Sequence, residues 1–445
     1  MRLGGRLSGA IDVLDDIEKR KRPVADALKD WGLSHRFAGS GDRAAIGNIV
    51  YDALRMKLSH AYLMDSDGAA ALGHAVMYRQ WGFSVDKLAA ELADDKFAPQ
   101  APSAEMMKAF GERRIDDAPL NVQGDIPEWT QASFEENFSD DWLDEARALA
   151  GRPTLDLRVN TLKASRDKVL KALERSGAEP AAIARHGVRI PAGEGASRLP
   201  NVTAEISFQK GWFEVQDEGS QIVADLVFPR EGEQVLDYCA GGGGKTLAMS
   251  AAMNNKGQVH AYDTDRKRLA PIIERLKRAG TRNVQVHDSA DSLASLAGRC
   301  DRVLVDAPCT GTGTWRRRPD TKWRLTQKNL EERLAQQEEA LAGAAQFVRP
   351  GGHLIYVTCS VLPEENEAQV YGFCEDNPEF EILSAADIWA TLFGTGKQQP
   401  WSADMKTVTL TPASTGTDGF FFCLMGRKVW QAGRSAREGR NLKMF

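Results

Sequence analysis

Two cysteines in this chain stand where a sheet protein places its reactive groups. Cys309 closes the segment Asp306-Ala307-Pro308-Cys309, directly after the apolar run DRVLVD, and Cys359 lies in Thr358-Cys359-Ser360 at the end of GHLIYVTC. A thiolate is a strong nucleophile and can split one difficult step into two easier ones through a covalent intermediate. The chain has six cysteines, Cys239, Cys300, Cys309, Cys359, Cys374 and Cys423, and none forms a C-x-x-C pair, so a zinc site is not expected. A scattered cysteine is most often an inert core residue. The weight therefore falls on what surrounds Cys309 and Cys359: an acid, Asp306, and a second thiol at a comparable strand end. Together they suit addition to an electron-poor ring, with an acid to protonate the ring and a second thiol to help release it.

A second constellation lies upstream. The run QVLDY leads straight into Cys239-Ala240-Gly241-Gly242-Gly243-Gly244-Lys245-Thr246. Four successive glycines allow a tight turn and close approach of backbone to a ligand. Two nucleotide-binding patterns fail here. A phosphate-binding loop would need glycine where Cys239 stands, and a dinucleotide fingerprint starting at Gly241 would need glycine where Thr246 stands. Asp263 ends the next strand-like run, where a carboxylate can accept ribose hydroxyls. Asp288 follows the third run and Asp306 the fourth. Glycines with strand-end acids and no phosphate cradle suit S-adenosylmethionine, which carries a sulfonium and an amino group but no phosphate. Arg268, in the basic cluster after Asp263, is counted with this group.

The elements that must position these residues follow from periodicity. QVLDY, QVHAY, VQVH, DRVLVD and GHLIYVTC alternate with helical stretches such as RKRLAPIIERLKRAG and EERLAQQEEALAGAAQFV. That alternation predicts an α/β, Rossmann-like doubly wound parallel sheet over residues 231–430, with ligands at the carboxyl ends of the strands. Residues 1–145 show apolar residues at helical spacing, and Ser40 and Asp42 are candidate caps for the helix that begins there. Residues 146–230 are mixed: LDLRVNTL alternates like a strand, and SRDKVLKALERSG is a helix with a glycine stop. Residues 431–445 form a basic tail.

The bulk numbers exclude some classes. With 445 residues, 42% hydrophobic and 27% charged, the composition is that of a globular protein. No apolar run is long enough to span a bilayer, and no apolar block precedes the first acids, so a cytoplasmic protein without membrane attachment is expected. A net charge of -5 does not by itself suggest a nucleic-acid partner. Local basic clusters do occur, notably Arg316 to Arg318 with Lys322 and Arg324. Directly after the Cys309 loop, this stretch is expected to line a path for a polyanion.

Cytosine illustrates the chemistry these groups fit. Its carbon 5 is too weak a nucleophile to attack a methyl donor, but a thiolate adding to carbon 6 makes carbon 5 enamine-like. The paired motifs DAPC and TCS, with LDLRVNTLK, GWFEVQDEGSQ, DRVLVDAPCTGTG, RPGGHLIYVTCSVLPEENE and TDGFFF, are similar over nearly the whole chain to the bacterial small-subunit ribosomal RNA (cytosine-5)-methyltransferase B family. The resemblance implies that Cys359 is the nucleophile and that Cys309 supports product release, with Asp306 as the acid. It implies S-adenosylmethionine bound by Cys239, Ala240, Gly241, Gly242, Gly243, Gly244, Lys245, Asp263, Arg268, Asp288 and Asp306. HRFAGSGDRAAIGNIVYDALR resembles the family's helical antitermination-factor-like RNA-binding domain, and residues 146–230 fall in its small α/β RNA-binding or linker region. The implied partner is RNA, ribosomal rather than DNA, met by a monomer. One departure stands out: the family loop reads Cys-Ala-Ala-Pro-Gly-Gly-Lys, and here Gly241-Gly242 replace Ala-Pro. Losing the proline raises the conformational freedom of the loop. A non-catalytic RNA binder on the same fold has no need of two strand-end thiols. An amino-group methyltransferase would carry a polar-Pro-Pro-aromatic run where Asp306-Ala307-Pro308-Cys309 stands.

Overall fold

A computed structural model of the chain describes residues 1–396 and 399–429; the basic tail at 431–445 lies outside them. The first 149 residues are helical, from Leu3–Arg20 to Trp142–Leu149, so the last helix runs across the boundary expected at 145. Their core is Leu7, Val13, Ile46, Ile49, Val50 and Val76 with their neighbours, the one-sided stripe of amphipathic helices packed together. Ser40 is not a cap. Gly39 takes the N-cap position of the helix Ser40–Arg55, and Asp42 reaches back to accept from Gly39 N at 3.1 Å.

A small antiparallel sheet follows. Its strands are β1 (Leu155–Val159), β2 (Glu179–Pro180), β3 (Gly187–Ile190) and β4 (Phe213–Val215), in the order β2-β3-β1-β4. Helix Arg166–Ala172 packs on it, and the chain leaves that helix through Gly177 in the left-handed region, φ +70°.

The third region is an eight-stranded sheet. It comprises β5 (Gln234–Asp237), β6 (Gln258–Tyr262), β7 (Val284–His287), β8 (Cys300–Asp306), β9 (Val348–Thr358), β10 (Phe380–Ile382), β11 (Thr407–Leu410) and β12 (Phe420–Arg427). The order is β10-β12-β9-β8-β5-β6-β7, with β11 paired to β12. Strands β5 to β9 are parallel, and β12 is antiparallel to β9. Leu354 and Tyr356 of β9 enter one core layer, Ile355 and Val357 the other, and all four are fully buried. A strand covered on both faces reads as a continuous apolar run rather than an alternating one. Strand order reverses between β5 and β8. Ligands of doubly wound sheets bind at that switch point, outside the carboxyl ends of the strands. The loops after β5 and β8 carry the glycine run and Cys309.

Candidate active site

At the carboxyl edge of the sheet lies a cleft of about 820 Å³. Among its lining residues are Cys239, Asp263, Arg268, Asp306, Cys309 and Cys359. Cys309 and Cys359 reach it from the ends of adjacent strands β8 and β9, and their Sγ atoms stand 3.3 Å apart. The hydrogen bond to Cys359, then burial, pushes the Cys309 thiol well above its ordinary value. Cys309 is thereby a proton-holding group beside the Cys359 sulfur. Cys239, also in the cleft, is pushed up chiefly by burial and further by Asp237, Asp263 and Asp306, so it stays a thiol.

Both thiols are held by a dense local network. Glu365, fully buried, accepts from Thr310 N at 2.8 Å, from the Thr310 hydroxyl, and from Gln337 Nε2 at 2.9 Å. Gln337 also donates to Pro308 O at 3.0 Å, which fixes the turn carrying Cys309. On the other side, Asn366 accepts from Thr358 Oγ1 at 2.6 Å and donates to Ser360 O at 3.1 Å, straddling Cys359. The backbones then meet directly: Gly313 N donates to Cys359 O at 3.0 Å, and Gly419 N to Gly313 O at 2.8 Å. A Cβ on Gly313 would lie 2.3 Å from Gly419 O, so neither chain crossing tolerates a side chain there. That is what the glycine of TDGFFF does. Glu365, Gln337 and Asn366 had no role in the reading of the sequence; no spacing marks a buried carboxylate that acts through backbone.

On the β5 side, Lys245 and Asp306 pair at 2.7 Å, bridging the loops after β5 and β8. Asp263 is nearly inaccessible, at 2% exposure, and its oxygens accept from Gly241 N and Asp265 N, both at 2.8 Å. It therefore shapes the glycine loop as well as facing the cleft. Ala240 N donates to Tyr262 O, tying the loop to β6. Gly241 and Gly243 take φ of +49° and +80°, and a Cβ on Gly243 would meet Ile272 at 2.4 Å. Gly244 opens the helix Gly244–Ala252. Arg268 stands half-exposed, 3.9 Å from Asp263. Thr264 and Asp265 also line the cleft; their only signal in the sequence is that they directly follow Asp263. Asp288 is exposed at the end of β7, next to β6, and its carbonyl accepts from Arg266 Nε at 2.9 Å; like Ala240 and the Gly241–Lys245 stretch, it is not among the residues that line the cleft itself.

The basic stretch after Cys309 differs from expectation. Arg316 is buried and pairs with Asp418, and Arg317 pairs with Asp418 and with Asp217 at 2.7 Å. Lys322, 1% exposed, donates to Arg55 O at 2.9 Å, and Trp323 Nε1 donates to Leu54 O at 2.6 Å. Arg324 pairs with Asp320 at 2.8 Å. A buried cation needs a partner, and this segment is the seat of the helical region. Only Arg318 of the three arginines is both exposed and cleft-lining.

A parallel sheet with its glycine loop and acids at the switch point, and two thiols over the same cleft, defines a methyltransferase fold. A family model described as 16S rRNA methyltransferase RsmB/F matches residues 224–426, and an RsmF/B-like ferredoxin-like domain matches residues 126–193. The ribosomal RNA small subunit methyltransferase B of Yersinia pseudotuberculosis is 34% identical over 331 residues, covering 73% of this chain and 72% of its own. That of Erwinia tasmaniensis is 34% identical over 300 residues, 66% of this chain and 65% of its own length. The chain belongs to the RsmB/F methyltransferase family. The crystal structure of PH0851 covers 96% of this chain and 99% of its own at a TM-score of 0.72 and 23% identity, a likeness of fold. A methyltransferase homologue from Pyrococcus horikoshii, 26% identical, covers 69% of this chain and 97% of its own at a TM-score of 0.56. Among the described residues no helix is long and apolar enough to cross a membrane.

Proposed function

We propose that this chain transfers a methyl group from S-adenosylmethionine to carbon 5 of a cytosine in small-subunit ribosomal RNA, through a covalent bond between Cys359 and carbon 6. The observation that carries the reading is the pair of thiols at 3.3 Å, beside Asp306, at the carboxyl edge of the sheet. S-adenosylmethionine supplies an electrophilic methyl on a sulfonium. The Cys239–Lys245 loop, Asp263, Asp265, Arg268, Asp288 and Asp306 would hold it. The donor set fits: acids and free backbone, with no cradle for phosphate.

The residues act in sequence. The Cys359 sulfur bonds to carbon 6 as its thiol gives up its proton, and a proton passed through the Asp306 carboxylate takes up the ring's electron pair at N3, so the ring gains no net charge. Lys245, 2.7 Å from that carboxylate, holds it in place. Carbon 5 then takes the methyl group. A base removes the carbon 5 proton, the carbon 6–sulfur bond breaks, and the N3 proton leaves, which restores the aromatic ring. Cys309, held protonated next to Cys359, is placed to return a proton to the departing sulfur or to relay one from carbon 5. The target base must leave its stack to reach both thiols, at a cost of a few kcal/mol, which favours an unpaired cytosine. The helical region and the exposed Arg318 supply RNA contacts under this reading.

Bisulfite mapping of small-subunit RNA from cells with and without the gene tests it. A single cytosine that is protected in the presence of the gene, loses protection without it, and regains it with wild-type protein but not with Cys359→Ser, is the expected result. An unchanged map would overturn the reading.

A further inference from the structure

The glycine loop that lacks its proline is gripped from outside. Arg275, on the helix Ile272–Ala279, donates Nη1 to Gly242 O at 2.5 Å. Arg158, on β1 of the small sheet, donates Nη1 to Gly244 O at 2.7 Å. Arg275 is itself held by Glu214 of β4, through Nε at 3.2 Å and Nη2 at 3.1 Å on the same oxygen, Oε2. The other oxygen takes Arg278 Nη2 at 2.5 Å. Glu214 is 4% exposed, so it is a buried anion shared between two guanidinium groups. The sheets are also pinned beside it: Asn160 donates to Ala279 O at 2.8 Å, and Lys163 to Arg278 O at 2.7 Å.

One more distance links this brace to the missing proline. A Cβ built on Gly242 would lie 3.2 Å from Arg275 Nη1. The guanidinium therefore crowds the space where a proline ring would begin. Ring and arginine are two ways of restraining the same peptide. The ring acts by removing backbone freedom, the arginine by a charge-assisted hydrogen bond to the carbonyl.

We propose that Glu214 is a positioning residue for the methyl-donor site: by orienting Arg275 on Gly242 O it holds the Gly241–Gly244 loop in its binding conformation, so the small sheet acts on cofactor affinity. The inference rests on the reading of this loop as the S-adenosylmethionine site. A loop that must be ordered before it binds loses apparent affinity in proportion to the fraction competent.

The test uses calorimetry of S-adenosylmethionine binding to the full chain, with steady-state kinetics and thermal unfolding alongside. Glu214→Gln keeps the shape and removes the charge. Arg275→Met removes the contact to Gly242 and leaves Glu214 paired with Arg278, so it serves if the first variant folds poorly. Each is expected to raise the dissociation constant and KM for S-adenosylmethionine about tenfold, with kcat and RNA affinity close to wild type. Adding Gly242→Pro to Arg275→Met is expected to restore most of the loss. Gly242 N has no hydrogen-bond acceptor among the described residues, so the proline costs no bond there. Affinities within twofold of wild type in both single variants would overturn the proposal. So would a loss that tracks the melting temperature and is not restored by the proline. If the wild-type chain binds no S-adenosylmethionine, the cofactor reading itself falls and the brace with it.

Discussion

The loops after β5 and β8 open on one cleft but are held in opposite ways. The β8 loop is fixed from within its own region. Glu365, Gln337 and Asn366 bind its backbone or that of the Cys359 turn, and Gly313 lies against Gly419. The β5 loop is fixed in large part from without, by Arg158 and by an Arg275 that Glu214 of the small sheet orients. The geometry of the thiols is thus internal to the large sheet, while the geometry of the glycine loop is shared with its neighbour. A catalytic pair must be set to within fractions of an ångström, which rigid, locally satisfied elements do best. A ligand loop is the natural place for another region to act.

The comparison breaks most sharply at Cys359. Cys359→Ser is expected to abolish methylation and leave S-adenosylmethionine affinity within about twofold, because the thiol acts on the base and not on the donor. Near-normal turnover by this variant would remove the central claim. Cys309→Ala is expected to fail one step later. If Cys309 assists the collapse of the adduct, the variant accumulates protein joined to RNA, seen as a slow band on a denaturing gel. The Cys309→Ala/Cys359→Ser double variant should lack that band. A free but slower enzyme in that lane would assign Cys309 a packing role only.

On the β5 side the expected losses are in binding. Asp263→Ala removes the acceptor of both Gly241 N and Asp265 N. It should weaken S-adenosylmethionine binding by about ten- to a hundredfold, the size of a charged hydrogen bond or two, with RNA affinity unchanged. Calorimetry showing wild-type cofactor affinity would count against this placement.

A smaller effect belongs to Asp237, at the end of β5. Burial raises its carboxyl from 3.8 to about 7, against the hydrogen bond from Thr246. Between those values the folded chain keeps a proton that the unfolded chain has shed. Stability should therefore fall as pH rises from about 4 to 7, by at most about 1.4 kcal/mol per pH unit. Asp237→Asn should flatten that slope. Urea unfolding at pH 5 and pH 7 measures it, and an equal slope in both proteins would show that Asp237 does not carry it.

What could be read from the sequence was whatever depends on local pattern. The five parallel strands, the glycine loop and both thiols fall where period and strand-end position put them, because a strand buried on both faces writes itself as an apolar run. Asp288 falls at the end of the third strand, as its pattern predicts, and that strand lies at the sheet's edge beside the strand that carries Asp263. The arginines of 316–318 misled. A basic run looks alike whether it faces water or carboxylates, and the partners of Arg316 and Arg317, Asp217 and Asp418, lie about a hundred residues away. Asp217 is itself pushed up to about 6, by burial and then by the neighbouring Asp418. Such a cluster cannot be foreseen without the fold. Glu214 belongs to the same class: nothing in GWFEVQDEGSQ indicates that its acid meets two arginines some sixty residues on.

The arginine stretch gives the finest test of the comparison. If charge alone governed RNA binding, Arg317 and Arg318 would be equivalent. In the fold, Arg317 spends its guanidinium on Asp217, Asp418 and Thr154 O, the last at 2.9 Å. Arg318 is exposed at the rim of the cleft. A phosphate contact releases counterions, and each one lost lowers the slope of log affinity against log salt by about 0.7 to 0.9. Arg318→Ala should therefore weaken RNA binding modestly and reduce that slope by about one contact, with the melting temperature unchanged. Arg317→Ala should do the reverse. It leaves two buried carboxylates short of a partner, which lowers stability, and it should not alter the salt slope measured below the melting transition. Filter binding across a salt series separates the two. Equal slopes for Arg318→Ala and wild type would mean that the RNA path does not pass this rim.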